Sequence, residues 1–203
     1  MKLYQDERAV NPRRVRIFAA EKGLELELEN IDIFKADHMT DDFSGMNPMQ
    51  RVPVLELDDG TAISESVAIC RYFEALKPEP PLMGGDPVEQ AMVEMWNRRI
   101  ELGLLDAIIN CFRHGHPMMA ELEDPQIKDW SVVNQGRASA VLEFLEGDMA
   151  DRPFIAGERF SIADITCLCA VDFLKAARLE LTDDHVNLKR WHGEVSARPS
   201  AAA

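Results

Sequence analysis

The stretch Lys77-Pro78-Glu79-Pro80-Pro81, followed by Gly84-Gly85, limits what this chain can fold into more than any other feature. Proline fixes φ and removes a backbone donor, and glycine adds conformational freedom, so a regular element does not run through such a segment. One set of elements must finish before it and another must begin after it. At 203 residues the chain is long enough for two small cores. The expected division is residues 1–77, a linker over 78–86, and residues 87–203.

Before the break the signals alternate in type. Residues 2–5 suit a short strand. Pro12 stands where a first helix begins, Val15, Phe18, Ala19 and Lys22 recur at helical spacing, and Gly23 ends the run. Leu24, Leu26 and Leu28 alternate with Glu25, Glu27 and Glu29, which predicts a half-buried strand over residues 24–33. Strand, helix, strand implies a parallel pair with a right-handed crossover. Residues 34–50 have weak periodicity and read as loop with room for a short helix. Residues 51–57 and 61–64 flank the turn Asp58-Asp59-Gly60 and predict a hairpin. Val67, Ala68, Tyr72 and Leu76 then mark a helix whose cap is Ser64 or Ser66. The order β-α-β, loop, β-β-α predicts an α/β domain with a four-stranded mixed sheet.

After the break every segment with a clear period is helical, so the second domain is expected to be all-α. Residues 88–109, 127–145 and 162–174 carry the pattern, and the last is apolar nearly all round, as at the centre of a helical domain. Ser161 with Asp164 three residues on forms a capping-box variant, a structural device. The ten methionines and three tryptophans read as core.

Charge and cysteine usage narrow the function. Thirty-six acidic against 22 basic residues give a net charge of -14. That argues against nucleic acid and against an anionic membrane surface as partners, though not against a small anion held in a locally positive site. The early charges in residues 1–8 predict no secretory leader, and no apolar run reaches the roughly 20 residues that span a bilayer. Cys70, Cys111, Cys167 and Cys169 form no Cys-x-x-Cys pair, and His114 and His116 diverge on a helix, so no metal is expected. A cytoplasmic protein with reduced thiols is the simplest reading.

Three short segments carry chemical information. In Arg51-Val52-Pro53-Val54 a proline interrupts a strand. The residues admit an ordinary trans edge proline or a cis bond that turns the backbone of Val52 outward, toward an extended peptide-like ligand. In Thr61-Ala62-Ile63-Ser64-Glu65-Ser66 a strand runs into a helix, whose first N–H groups favour a carboxylate; Ser66 adds a donor and Glu65 can receive an amino group, or the pair is a plain cap with a solvated glutamate. Asn11, at the first strand-to-helix junction, either caps the helix or orients a ligand beside a helix N-terminus able to stabilise a thiolate.

Taken together these residues resemble the cytosolic glutathione transferase family. The resemblance rests on Asn47-Pro48, Arg51-Val52-Pro53-Val54-Leu55, Asp59-Gly60, Ile63-Ser64-Glu65-Ser66 with Ile69-Cys70-Arg71-Tyr72, and Phe154-Ile155-Ala156-Gly157 through Phe160-Ser161-Ile162-Ala163-Asp164. These pieces span both halves of the chain in the family's order. The resemblance implies a thioredoxin-like first domain that holds glutathione, a helical domain that lines the electrophile site, and a homodimer. It implies that Val52 holds the cysteinyl backbone of glutathione with Pro53 cis, that Ser66 takes the γ-glutamyl carboxylate and Glu65 its ammonium, and that Arg51, with His38 or Met39, lies near the glycyl carboxylate. Members of the family place a tyrosine, serine or cysteine in the first strand-to-helix loop to activate the thiol. Here that loop is Arg8-Ala9-Val10-Asn11-Pro12, so the chain looks more like bacterial members with asparagine, and Asn11 is the expected activating residue. Met95, Arg99, Leu102, Asn110 and Arg113 are the candidates for the electrophile site. The resemblance implies conjugation of glutathione to a hydrophobic electrophile. Reduction of glutathione-linked disulfides or of peroxides is the alternative, and a non-catalytic binder or scaffold the rival class.

Overall fold

A computed structural model describes residues 1–203. The chain divides into two compact units, Met1–Pro81 with Ala202–Ala203, and Leu82–Ala201. The first combines a sheet with helices and the second is entirely helical, which is the α/β plus all-α organisation that the patterning implies.

In the first unit the order is β1 (Lys2–Gln5), α1 (Val10–Glu21), β2 (Glu27–Asn30), α2 (Asp41–Met46), β3 (Val54–Glu56), β4 (Ala62–Ser64) and α3 (Ser66–Leu76). The sheet runs β2-β1-β3-β4, with β1 parallel to β2 and the other neighbours antiparallel. Leu3 lies between Leu28 and Leu55 in register. Leu3, Val54 and Leu55 of the sheet, Val15, Ile17 and Phe18 of α1, and Ile69 and Phe73 of α3 are completely buried. Each such side chain contributes roughly 1.5–3 kcal/mol relative to exposure.

Several local expectations shift, each for a physical reason. Leu24, Leu26 and Leu28 predict a half-buried strand, yet β2 is four residues long and exposed throughout. It is the edge strand, and neither of its faces is covered. β3 begins only after Pro53, because proline has no N–H for the ladder. α1 starts ahead of Pro12, at Val10, with Ala9 in the cap position and no side-chain cap; Pro12 is tolerated because the first-turn N–H groups have no helical partner. α3 is capped by neither Ser64 nor Ser66. Glu65 takes the N-cap position and Ser66 is the first helical residue. Lys22 completes the apolar stripe of α1 and is buried, where it donates to the carbonyls of Pro78 (3.1 Å) and Pro80 and pairs with Glu74 at 2.6 Å. A lysine thus satisfies carbonyls that the proline-rich segment leaves without a helical or strand partner.

The second unit holds α4 (Pro87–Ile100), α5 (Asp106–Gly115), α6 (Lys128–Asp148), α7 (Ile162–Asp172) and α8 (Val186–Ser196). α4 and α5 are joined without a break by a π-helical turn over Glu101–Leu105, so the first long helix runs six residues past its expected end. α7 is buried from Ile162 to Val171, packed against α4 and α8, and is the centre of the unit. α8 has no clear signature among the expected elements; Leu188, Trp191 and Val195 are its buried stripe. No helix is long and apolar enough to cross a membrane.

Candidate functional site

The informative residues of the first unit gather at one end of its sheet. In the antiparallel register Val54 faces Tyr4 on one side and Ser64 on the other. Val52 comes two residues before Val54 and Ser66 two residues after Ser64, so both stand just beyond this end of the β3–β4 pair, as Asp6 stands just beyond β1. The carboxyl end of β1, the approach to β3 and the start of α3 are therefore neighbours, where α/β sheets collect ligands.

The approach to β3 is shaped by Asn47, which is 2% exposed. Its Nδ2 donates to the carbonyl of Arg51 at 2.8 Å and its Oδ1 accepts from the N–H of Met49 at 3.1 Å. The peptide between Val52 and Pro53 is cis. Pro53 is buried, Val52 half-buried and Arg51 exposed. His38 ends a short 3-10 turn over Asp37–Met39 and is buried. Burial, then the positive charge of Arg51, pushes its imidazole below the ordinary range. His38 and Arg51 thus share one electrostatic neighbourhood.

At the start of α3, Glu65 is exposed and holds φ +68, a left-handed value that costs a non-glycine residue free energy and occurs mostly where function requires it. The first turn receives no side-chain cap. Ser66 is buried, and Arg14 Nη1 donates to its Oγ at 3.0 Å.

The loop between β1 and α1 is held by ionic contacts. Asp6, 2% exposed, accepts from Arg8 Nε (2.8 Å), Arg8 Nη2 (2.5 Å) and the N–H of Ile33 (3.2 Å). Arg8 also reaches Asp32 at 2.7 Å and lies over the ring of Phe34. Burial alone raises the carboxyl pKa of Asp6, but the hydrogen bonds from Arg8 and Ile33 outweigh it and hold it below the ordinary value. Asn11 is the second residue of α1, half-buried, and is not the cap.

In the second unit Met95, Arg99 and Leu102 share one stripe at helical spacing. Met95 is half-buried, Leu102 is exposed, and the Arg99 guanidinium lies 4.7 Å from the ring centre of Trp96. Asn110 donates to the carbonyl of Asp106 on its own helix at 2.8 Å, and Arg113 pairs with Glu123 at 2.5 Å. Ser161 and Asp164 close a full capping box on α7. Asp164 Oδ1 also accepts from the N–H of Ile155 (2.8 Å) and from Trp191 Nε1 (2.9 Å), while Oδ2 takes the N–H of Ser161 (3.0 Å) and its hydroxyl (3.2 Å). Burial lifts the Asp164 carboxyl to about 6 against the pull of these bonds. No group of three or more His, Cys, Asp or Glu side chains is placed to hold a metal ion.

Asn47 and Arg14 are the residues whose parts the sequence reading missed. A signal existed for Arg14: in Arg13-Arg14-Val15-Arg16 it alone lies three and four residues before the buried Ile17 and Phe18. For Asn47 nothing in the sequence marks the amide as inward-facing.

Comparison with known proteins finds one family in both units of the chain. Residues 10–76 match the family model described as "Glutathione S-transferase, N-terminal domain", and residues 116–199 match "Glutathione S-transferase, C-terminal domain". Glutathione S-transferase 2 of Saccharomyces cerevisiae is 35% identical over 203 residues, covering 98% of this chain and 87% of that protein. A crystal structure of Gtt2 from the same yeast superposes with a TM-score of 0.95 at 35% identity, covering 100% of this chain and 99% of that one. A glutathione S-transferase domain-containing protein of Marinobacter aquaeolei VT8 also gives 0.95, at 37% identity, covering 98% of this chain and 99% of that one.

Proposed function

The chain belongs to the glutathione S-transferase family, and on that premise we propose that its first unit binds glutathione, stabilises the thiol as a thiolate and delivers it to a hydrophobic electrophile. The observation that carries this reading is the uncapped first turn of α3, with Ser66 buried at its first position, directly after the β4 end that pairs with Val54. An extended γ-glutamyl-cysteinyl backbone can pair with the main chain of Val52 while its α-carboxylate meets the uncapped first turn of α3 and the Ser66 hydroxyl. The exposed Glu65 carboxylate is in place for the ammonium of the same γ-glutamyl group. The exposed Arg51 guanidinium is suited to the carboxylate at the glycyl end, with the His38 imidazole, held neutral by burial and by that charge, beside it.

Asn11 is the proposed activating residue. Its amide can donate to a thiolate but cannot remove a proton, so activation combines that donor with the positive end of α1. Met95, Arg99, Leu102, Asn110 and Arg113 are the proposed choosers of the electrophile. A homodimer is proposed as well: Val88, Met92 and Leu102 are 74%, 42% and 52% exposed on the stripe that also carries Met95 and Arg99. That is more aliphatic surface than a lone helix face usually presents to water.

Disulfide reduction is the second reading, favoured by the absence of a hydroxyl or thiol between Asp6 and Pro12. Titration calorimetry with glutathione tests the shared premise, with binding expected in the micromolar to millimolar range. No heat and no thermal shift at millimolar glutathione leaves a scaffold that only keeps the fold. Where binding is present, turnover of an activated aryl halide against a glutathione mixed disulfide separates the two reactions.

A further inference from the structure

In the helical unit two guanidiniums lie on one indole. Arg152 is 4.0 Å from the ring centre of Trp96 and Arg99 is 4.7 Å from it, and the ring of Phe144 stacks on the same indole at 6.2 Å. Cation–π attraction favours each guanidinium on the ring, but it does not cancel the repulsion between the two. That repulsion is felt at Arg152. Burial lowers its pKa, the Asp164 carboxylate opposes this, and the charge of Arg99 lowers it further. Asp164 is already committed to Ile155, Ser161 and Trp191. Asp148 pairs with Arg152. Arg99 makes no ion pair, although its neighbour Arg98 binds Glu101 at 2.5 Å. Two positive charges therefore share one local carboxylate, in a chain whose net charge is -14 and in which carboxylates are plentiful. Arg99 is exposed, and with its guanidinium against the ring the N–H donors at the rim of the plane remain for an acceptor. The side chains around it are apolar: Met95 and Leu102 on its own stripe, and Phe144 beyond the indole. A ligand that matches this surface has an apolar body and a negative charge.

We propose that Arg99, backed by Arg152 across the Trp96 ring, selects the electrophile, and that the preferred electrophile is an apolar molecule carrying a carboxylate. This rests on the glutathione transferase reading above and deepens it by naming the chemical class of the second substrate. Arg99 binds the carboxylate and Arg152 is a positioning residue, which holds the indole and adds a second positive charge behind it.

The test measures a ratio of kcat/KM values for two aryl chlorides with glutathione: a chlorodinitrobenzoate with its carboxylate para to the chlorine, and the chlorodinitrobenzene that lacks only that group. In both, the thiolate attacks the carbon bearing chlorine, the carbon–sulfur bond forms, and chloride leaves with the bonding pair. The carboxylate takes no part in the step, and its effect on intrinsic reactivity is measured without protein and divided out. The native chain is expected to favour the benzoate by about fivefold, the scale of a partly exposed ion pair, and less so at high salt. In Arg99→Gln the ratio falls to about one, and in Arg99→Glu, which sets like charges together, below one. Arg152→Gln lowers it part-way. Asp148→Asn removes the one carboxylate on the pair and raises the ratio, by about twofold, which a purely structural role for these residues does not predict. Should Arg152→Gln fail to fold, the exposed Arg99 carries the test with Asp148→Asn. A native ratio of one or less, or a ratio unchanged in Arg99→Glu, overturns the proposal. Glutathione bound but neither chloride converted removes the transferase reading and the proposal together. Both chlorides converted, with the ratio unchanged across the variants, removes the proposal alone.

Discussion

α3 and α7 are each eleven residues long, yet their first turns are built in opposite ways. The start of α7 is closed. Ser161 caps it, Asp164 answers with the reciprocal bond, and the same carboxylate ties in Ile155 and Trp191. The start of α3 is open, with Glu65 twisted to positive φ and no side-chain cap. The contrast extends beyond this pair. In the helical unit Asp86 caps α4, and Glu146 takes the N–H groups of Asn187 and Leu188 at the start of α8. In the sheet unit α1 shares the open start of α3 while Thr40 caps α2, and in the helical unit α6 starts without a side-chain cap. A closed helix start has used its donors to hold the fold. An open one leaves them to water or to something that arrives from outside, and the open starts of α1 and α3 follow directly on β1 and β4 at one end of the sheet.

The largest effect should come from opening the closed start. Asp164→Ala leaves the N–H groups of Ile155 and Ser161 and the indole of Trp191 without their acceptor in a dry interior. A loss of about 3–5 kcal/mol is expected, read as a fall of roughly 10 °C in thermal unfolding. A loss below about 1 kcal/mol breaks the contrast, because the closed start is then not what holds the unit. The two buried aspartates also respond to pH with opposite sign. The folded-state pKa of Asp164, about 6, lies above its ordinary 3.8. Between those values the folded chain keeps a proton that the unfolded chain has released, so its contribution to stability declines as pH rises through the window, by up to about 3 kcal/mol. Asp6 is held below 3.8, so its contribution is complete above that value and is lost as pH falls through the lower one. Relative to the native chain, Asp164→Asn should lose less stability at pH 7 than at pH 4, and Asp6→Asn should lose more at pH 7 than at about pH 2, below the window in which Asp6 titrates. Stability curves in denaturant at these values check both signs.

The contrast between closed and open helix starts explains what the sequence could disclose. Closed features are local and periodic. The capping box lies within four residues, the hairpin turn at Asp58-Asp59-Gly60 within three, and the helical stripes within one heptad. Open features depend on residues brought together from afar. Ser66 was legible as a donor, but that Glu65 and not a serine occupies the cap position is a matter of backbone twist, which residue type alone does not set. Arg14 meets Ser66 across 52 residues, and Val54 meets Ser64 only through strand register. β2 misled because alternation reports which residues could face a core, not whether a core covers that edge.

A middle-sized effect should come from Ser66→Ala. This change removes a hydroxyl from the open start, so glutathione should weaken by about tenfold, near 1.4 kcal/mol, with a smaller shift in thermal stability than Asp164→Ala produces. Calorimetry and a melting curve on the same preparation decide the matter. A stability loss as large as that of Asp164→Ala, with affinity intact, makes the two helix starts alike and ends the distinction between them.

The smallest effect, and the sharpest test of an open start, is Asn11→Ala. Asn11 is the second residue of α1, and the cap position before it is Ala9, whose side chain supplies no acceptor. On the proposed reading the donors to a bound thiol are the Asn11 amide and the N–H groups of the uncapped first turn. An amide that donates to a thiolate but not equally to a thiol lowers the thiol pKa by its differential strength, about 0.5–1 unit for a single neutral donor. Removing it should raise the pKa of bound glutathione by that amount, visible as a shift in the ultraviolet thiolate titration, while affinity changes little. A shift near zero assigns activation to the helix start itself. Removal of the amide tells the two apart because the backbone donors of α1 remain in the variant: whatever thiolate stabilisation survives Asn11→Ala belongs to the uncapped turn, and whatever is lost belongs to the side chain.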